Sequence, residues 1–125
     1  MTVRVGFLGA GFIARYHAMQ LRLAAEPNEI VAVYDPEPGR AAAFCADESG
    51  AAVDSIADVV ERSDAVFVCT WTAAHLEGVR AVVGAGLPVF CEKPLSTDLA
   101  GARRVVDAVT ASGVLNAVGL VLRSS

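Results

Sequence analysis

The segment Gly9-Ala10-Gly11-Phe12-Ile13-Ala14 has the residue types and the spacing to hold an anion. It directly follows the apolar run Val3 to Leu8 and opens a stretch of helical period. A strand, a glycine turn and a helix in that order bring free backbone N–H groups and the positive end of a helix dipole to one point. Gly9 permits the tight turn, Gly11 lets the backbone come close to a pyrophosphate, and Ala14 keeps the helix near the strand. Phe12 and Ile13 begin the helix and supply N–H groups there. The competing interpretation is a glycine-rich turn in some other α/β protein. The strand before it and the helix after it favour a dinucleotide.

Roughly 20 residues further on, Asp35 ends a second apolar run, where a carboxylate can accept both hydroxyls of an adenosine ribose. Followed by Pro36, it can equally be a turn starter. As a ribose ligand it favours NAD. A carboxylate about 5 Å from a 2′-phosphate costs roughly 1 to 3 kcal/mol, a ten- to hundredfold loss of affinity. Pro36 and Glu37 supply no compensating cation, and Arg40, the nearest one, keeps NADP possible.

The elements that must position these residues follow from hydrophobic pattern. Short β-branched runs alternate with longer alanine-rich stretches of helical period, the pattern of βαβ units around a parallel sheet. Six strands are expected, at Val3 to Leu8, Ile30 to Tyr34, Ala51 to Val53, Ala65 to Cys69, Val89 to Cys91 and Leu115 to Leu122. Helices are expected over Phe12 to Ala25, Arg40 to Glu48, Ile56 to Arg62, Ala74 to Ala85 and Asp98 to Ser112. Ser55 with Asp58 resembles a capping box, Thr97 can cap the last helix, and Gly86 and Gly113 sit where a left-handed residue ends a helix. Right-handed crossovers then give a doubly wound Rossmann sheet in the order 3-2-1-4-5-6, with helices on both faces.

Composition agrees and excludes other classes. The 125 residues are 54% hydrophobic, 19% charged and only 6% aromatic, an α/β composition with room for one domain. The net charge of -4 comes from scattered acids and bases. Without Lys/Arg blocks, neither nucleic acid nor an anionic membrane is an expected partner. With no signal peptide and no apolar run of spanning length, a soluble cytoplasmic protein is expected. Cys45, Cys69 and Cys91 fit neither a disulfide framework nor a zinc site, so no metal is expected and the cysteines are taken as small buried hydrophobes.

Two further segments narrow the assignment. Val66-Phe67-Val68-Cys69-Thr70-Trp71-Thr72-Ala73-Ala74-His75 and Val89-Phe90-Cys91-Glu92-Lys93-Pro94-Leu95 resemble the fourth-strand and fifth-strand signatures of the glucose-fructose oxidoreductase/inositol dehydrogenase family, Gfo/Idh/MocA. The resemblance covers essentially the whole chain and includes His17 and Arg123. Its most specific element is Glu92-Lys93-Pro94. It implies an NAD(P)-binding Rossmann domain, residues 1–125, of an oxidoreductase acting on CH–OH groups of sugars, polyols or related compounds. It also implies that Lys93 reaches the nicotinamide and the substrate hydroxyl as the catalytic donor, a sensible task for an ammonium at a strand's C-terminal end. Glu92 either orients its neighbours or acts itself.

The sequence departs from the family at Thr70-Trp71-Thr72, where members usually carry Thr-Pro-Asn or Ser-Pro-Asn. Trp71 then has two roles open to it, covering the cofactor or packing between domains. His75 matches the family's His and, at a helix start, is either a structural hydrogen-bonder or a cofactor contact. His17 is the more structural of the two. The chain ends at Ser125, before the C-terminal domain that carries the family's catalytic His and Asp, so the substrate domain is expected to be absent. An incomplete enzyme and a non-catalytic dinucleotide-binding or redox-sensing module both fit. Self-association or marginal solubility is expected, because the apolar segment Leu115 to Leu122 falls on an edge strand that a second domain would ordinarily help to cover.

Overall fold

In the computed structural model the described residues are 1–93 and 96–113, with the backbone of 116–118. The elements run β1 (Val3–Leu8), α1 (Phe12–Leu23), β2 (Asn28–Tyr34), α2 (Arg40–Asp47), β3 (Ala51–Ala52), α3 (Ile56–Arg62), β4 (Ala65–Val68), α4 (His75–Gly84), β5 (Val89–Cys91), α5 (Leu99–Ser112) and β6 (Asn116–Val118). All strand pairs are parallel, in the order β3-β2-β1-β4-β5, with the three residues of β6 alongside β5. Of the expected sixth strand only Asn116–Val118 is described, and Leu115 and residues 119–122 lie outside the described residues. The fold is a Rossmann-like α/β parallel sheet. Its direction of winding reverses between β1 and β4.

Each face of the sheet has its own core. Val5 and Phe7 of β1 pack with Ala14 and Ala18 of α1 and with Ala41 and Phe44 of α2. On the other face Leu8, Val66 and Val68 pack with Val59 of α3, Val79 and Val82 of α4, and Val105 of α5. Strands covered on both faces need apolar residues at nearly every position, hence their unbroken apolar runs. In β2 the register jumps from Val5↔Ile30 to Gly6↔Ala32, leaving Val31 as a bulge. Ile30 and Val33 therefore both reach the α1 side.

Helix ends follow local chemistry, with one correction. The Ser55 hydroxyl accepts the Asp58 N–H at 3.1 Å, and Gly86 and Gly113 adopt φ of 76° and 72°. Thr97, expected to cap α5, does not. Asp98 is the cap and accepts the Gly101 N–H at 2.7 Å, a carboxylate placed one residue nearer the helix. Ahead of α4 the chain makes a single 3-10 turn, Thr72–Ala74, so the regular helix starts at His75.

Candidate dinucleotide site

The glycine turn leaves β1 at the switch point. Gly9 has φ 96°, and a Cβ there would stand 2.5 Å from the Cys69 carbonyl. Only glycine allows the end of β4 to pass so close. Gly11 is the N-cap residue of α1, and no side chain caps that helix. The first N–H groups of a helix have no partner within it. Around Gly11 the space is open, since an added Cβ would meet only Arg40 Nη1, at 3.8 Å. Ala14 is wholly buried against the sheet, and Ile13 packs at the edge of that core. The Phe12 side chain is 88% exposed.

Asp35 stands just past β2. One carboxylate oxygen accepts the Ala10 N–H at 2.8 Å and the other accepts the Glu37 N–H at 2.8 Å. The turn-starting role is therefore real, and it does not exclude the ribose role. Both hydrogen bonds orient the carboxylate, and each oxygen keeps acceptor capacity. Arg40 Nη2 donates to Glu37 Oε2 at 2.5 Å. The nearest cation is thus engaged by its own neighbour.

Gly11, Asp35, Arg40, Thr70 and Trp71 line one cleft of about 260 Å³ with Pro36, Glu37 and Cys69. Trp71 is 73% exposed at its edge. The Thr70 hydroxyl is buried with no hydrogen-bond partner among the described residues, as is His75 Nδ1. His75 is only 1% exposed, and its Nε2–H donates to the Thr70 carbonyl at 2.8 Å. It shapes the Thr70 loop from beneath.

Lys93 and Glu92 stand apart from that cleft, past the C-terminal end of β5. The Lys93 side chain is exposed. Glu92 is turned inward, and its Oε2 lies 2.6 Å from His17 Nε2. A carboxylate only accepts, so the imidazole nitrogen donates. This pair joins residues 75 positions apart and had no signal in the sequence. Cys69 and Cys91 are buried free thiols near the same strand ends. Burial, and then the charge of Glu92, raises both, pushing Cys91 up to about 12.

A wider concavity, about 720 Å³, lies at the opposite end of the sheet between the end of α1 and the starts of β2 and β3. Its lining holds the turn glycine Gly50 but not the first residues of any helix. In open α/β sheets ligands bind at the carboxyl ends of the strands, so the smaller cleft is the candidate. Its donor set suits a dinucleotide: open N–H groups at α1 for phosphate, a fixed carboxylate for a ribose, and an unpaired buried hydroxyl beside them. Arg123 lies outside the described residues.

A parallel sheet that reverses at β1 and β4, with a glycine turn and a strand-end carboxylate at that point, defines a dinucleotide-binding α/β domain. The chain belongs to the Gfo/Idh/MocA oxidoreductase family, NAD-binding Rossmann fold, whose family model matches residues 3–120. It is 43% identical over 115 residues to an inositol 2-dehydrogenase of Cereibacter sphaeroides, covering 90% of this chain and 34% of that protein. Among solved structures, a Sinorhizobium meliloti protein described as a myo-inositol dehydrogenase superposes with a TM-score of 0.84 at 32% identity, covering 94% of this chain and 36% of that one. The WlbA dehydrogenase of Bordetella pertussis, solved with NADH and UDP-GlcNAcA, gives 0.82 at 27% identity, covering 90% and 34%. The chain thus spans about a third of the length of the curated relatives it matches. Among the described residues no helix is long and apolar enough to cross a membrane.

Proposed function

We propose that this chain binds NAD(H) in preference to NADP(H), as the cofactor-holding part of an oxidoreductase that acts on CH–OH groups of polyols or sugars. The observation that carries the preference is the Asp35 carboxylate, fixed by the Ala10 N–H at 2.8 Å on the rim of the cleft that Gly11 opens. Backbone N–H groups of Gly11, Phe12 and Ile13 face the pyrophosphate, and Asp35 accepts the ribose hydroxyls. A 2′-phosphate would meet that negative charge, while Arg40 is occupied by Glu37. Thr70 and Trp71 close the side of the cleft towards the nicotinamide.

When bound, the nicotinamide supplies the hydride acceptor or donor. Lys93, two residues past the end of β5, the strand next to β4, donates a hydrogen bond to the substrate oxygen and holds the reacting carbon in place. The polyol or sugar class rests on relatives named as inositol 2-dehydrogenases. Self-association belongs to the same proposal, supported by an apolar stripe along α1 of Phe12, Tyr16, Met19 and Leu23.

Titration calorimetry of the chain with NADH and NADPH tests the assignment. NADH is expected to bind at least about tenfold more tightly, the size of one unfavourable charge contact. Equal or reversed affinities overturn the preference, and no binding of either overturns the site.

A further inference from the structure

We propose that His17 is a positioning residue, which sets Lys93 through Glu92 and couples the phosphate-binding helix to the strand end where the nicotinamide is handled. This rests on the role given to Lys93 above.

The geometry is a chain of short contacts. His17 Nε2 donates to Glu92 Oε2 at 2.6 Å, and the other oxygen of the same carboxylate accepts the Lys93 N–H at 3.2 Å. The Glu92 backbone is held separately, its N–H donating to the Val68 carbonyl at 3.0 Å. Glu92 is therefore fixed at both ends. Among the described residues it is the sole side chain that hydrogen-bonds Lys93.

Burial makes the pair informative. The side chains of His17 and Glu92 are only 11% and 13% exposed, and the imidazole is packed among aromatic rings: Phe90 at 4.8 Å, Phe67 at 5.4 Å and Tyr16 at 5.4 Å between centroids. Two apolar side chains would fill that space without the desolvation cost of a carboxylate and an imidazole. What they could not do is accept the Lys93 N–H.

His17 also lies on the helix whose first residue is Phe12, about one and a half turns from the open N–H groups. A cofactor phosphate drawn to the helix start and a lysine at the end of β5 are thus tied to one rigid element. Sequence separation hides this link, and the pairing of β5 with β4 creates it.

The test uses the chain with NADH and reads nicotinamide fluorescence at saturation, together with amide hydrogen exchange at Lys93 without ligand. His17→Phe keeps a ring among Phe67 and Phe90 but removes the donor. His17→Gln restores an N–H near the same place. The expected result is that His17→Phe speeds Lys93 amide exchange by an order of magnitude or more. It should also shift the bound-NADH emission in the direction that Lys93→Met does, while His17→Gln returns both towards wild type. Should His17→Phe fail to fold, Glu92→Leu breaks the same contact from the strand side and is expected to give the same two changes.

Unchanged exchange and emission in His17→Phe and Glu92→Leu, with Lys93→Met still altering the emission, overturn this inference and leave the cofactor site standing. An emission indifferent to Lys93→Met, or no NADH binding by the wild type, overturns the role of Lys93 and this inference with it.

Discussion

The Asp35 carboxylate and the Ala10 N–H meet at 2.8 Å across 25 residues of sequence, so the end of β2 and the glycine turn after β1 are one structural unit. The residue that would choose the cofactor also holds the loop that would bind its phosphates. Losing Asp35 should therefore affect stability and binding together. Asp35→Ala strands the part-buried Ala10 N–H, expected to cost about 1–3 kcal/mol in urea unfolding, and should weaken NADH binding at least tenfold. A variant as stable as wild type would show the Ala10 contact to be dispensable.

Cofactor preference should respond to Arg40 as well as to Asp35. Glu37 holds the Arg40 guanidinium at 2.5 Å, so Glu37→Ala is expected to free it and strengthen NADPH binding several-fold with little change for NADH. Asp35→Ser with Pro36→Arg should go further and reverse the preference. Calorimetric titrations of both cofactors check each step.

Gly9 should tolerate no side chain. Its φ of 96° and the 2.5 Å separation between an added Cβ and the Cys69 carbonyl combine backbone strain with a clash against main chain. Gly9→Ala is expected to lower stability by about 2 kcal/mol or more, read by thermal unfolding. Gly11→Ala, where the nearest atom is at 3.8 Å, should change stability much less and instead weaken NADH binding.

Alkaline pH should expose the buried thiols. Burial, reinforced by Glu92, raises Cys91 from 9.0 to about 12 in the folded chain. Above pH 9 the unfolded chain loses this proton while the folded chain keeps it, so the contribution is present below about pH 9 and is lost as pH rises towards 12. Melting temperature is expected to fall between pH 8 and 10.5, and to fall less in Cys91→Ala. An equal fall in both proteins would remove Cys91 from the account.

Self-association should depend on the outer side of α1. Phe12, Tyr16, Met19 and Leu23 are 88%, 47%, 40% and 76% exposed and follow the i, i+4, i+7, i+11 spacing of one helix face. Sedimentation is expected to show a dimer or larger species that Met19→Glu with Leu23→Glu dissociates. A monomeric wild type at high concentration contradicts the proposal.

What the sequence by itself determined is local. Strands covered on both faces read as apolar runs, the glycine turn announces the helix that follows, and Ser55 meets its cap partner three residues away, because each signal is complete within one element or turn. The strand-end position of Asp35 and the Glu92-Lys93-Pro94 motif were legible for the same reason. Tertiary structure alone decided the rest. The bulge at Val31 comes from fitting β2 to β1. Arg40 reaches the cleft because α2 packs beside α1. His17 meets Glu92 because α1 lies over the ends of β4 and β5, where a contact between residues 75 positions apart is set by packing and leaves no period in the sequence to read.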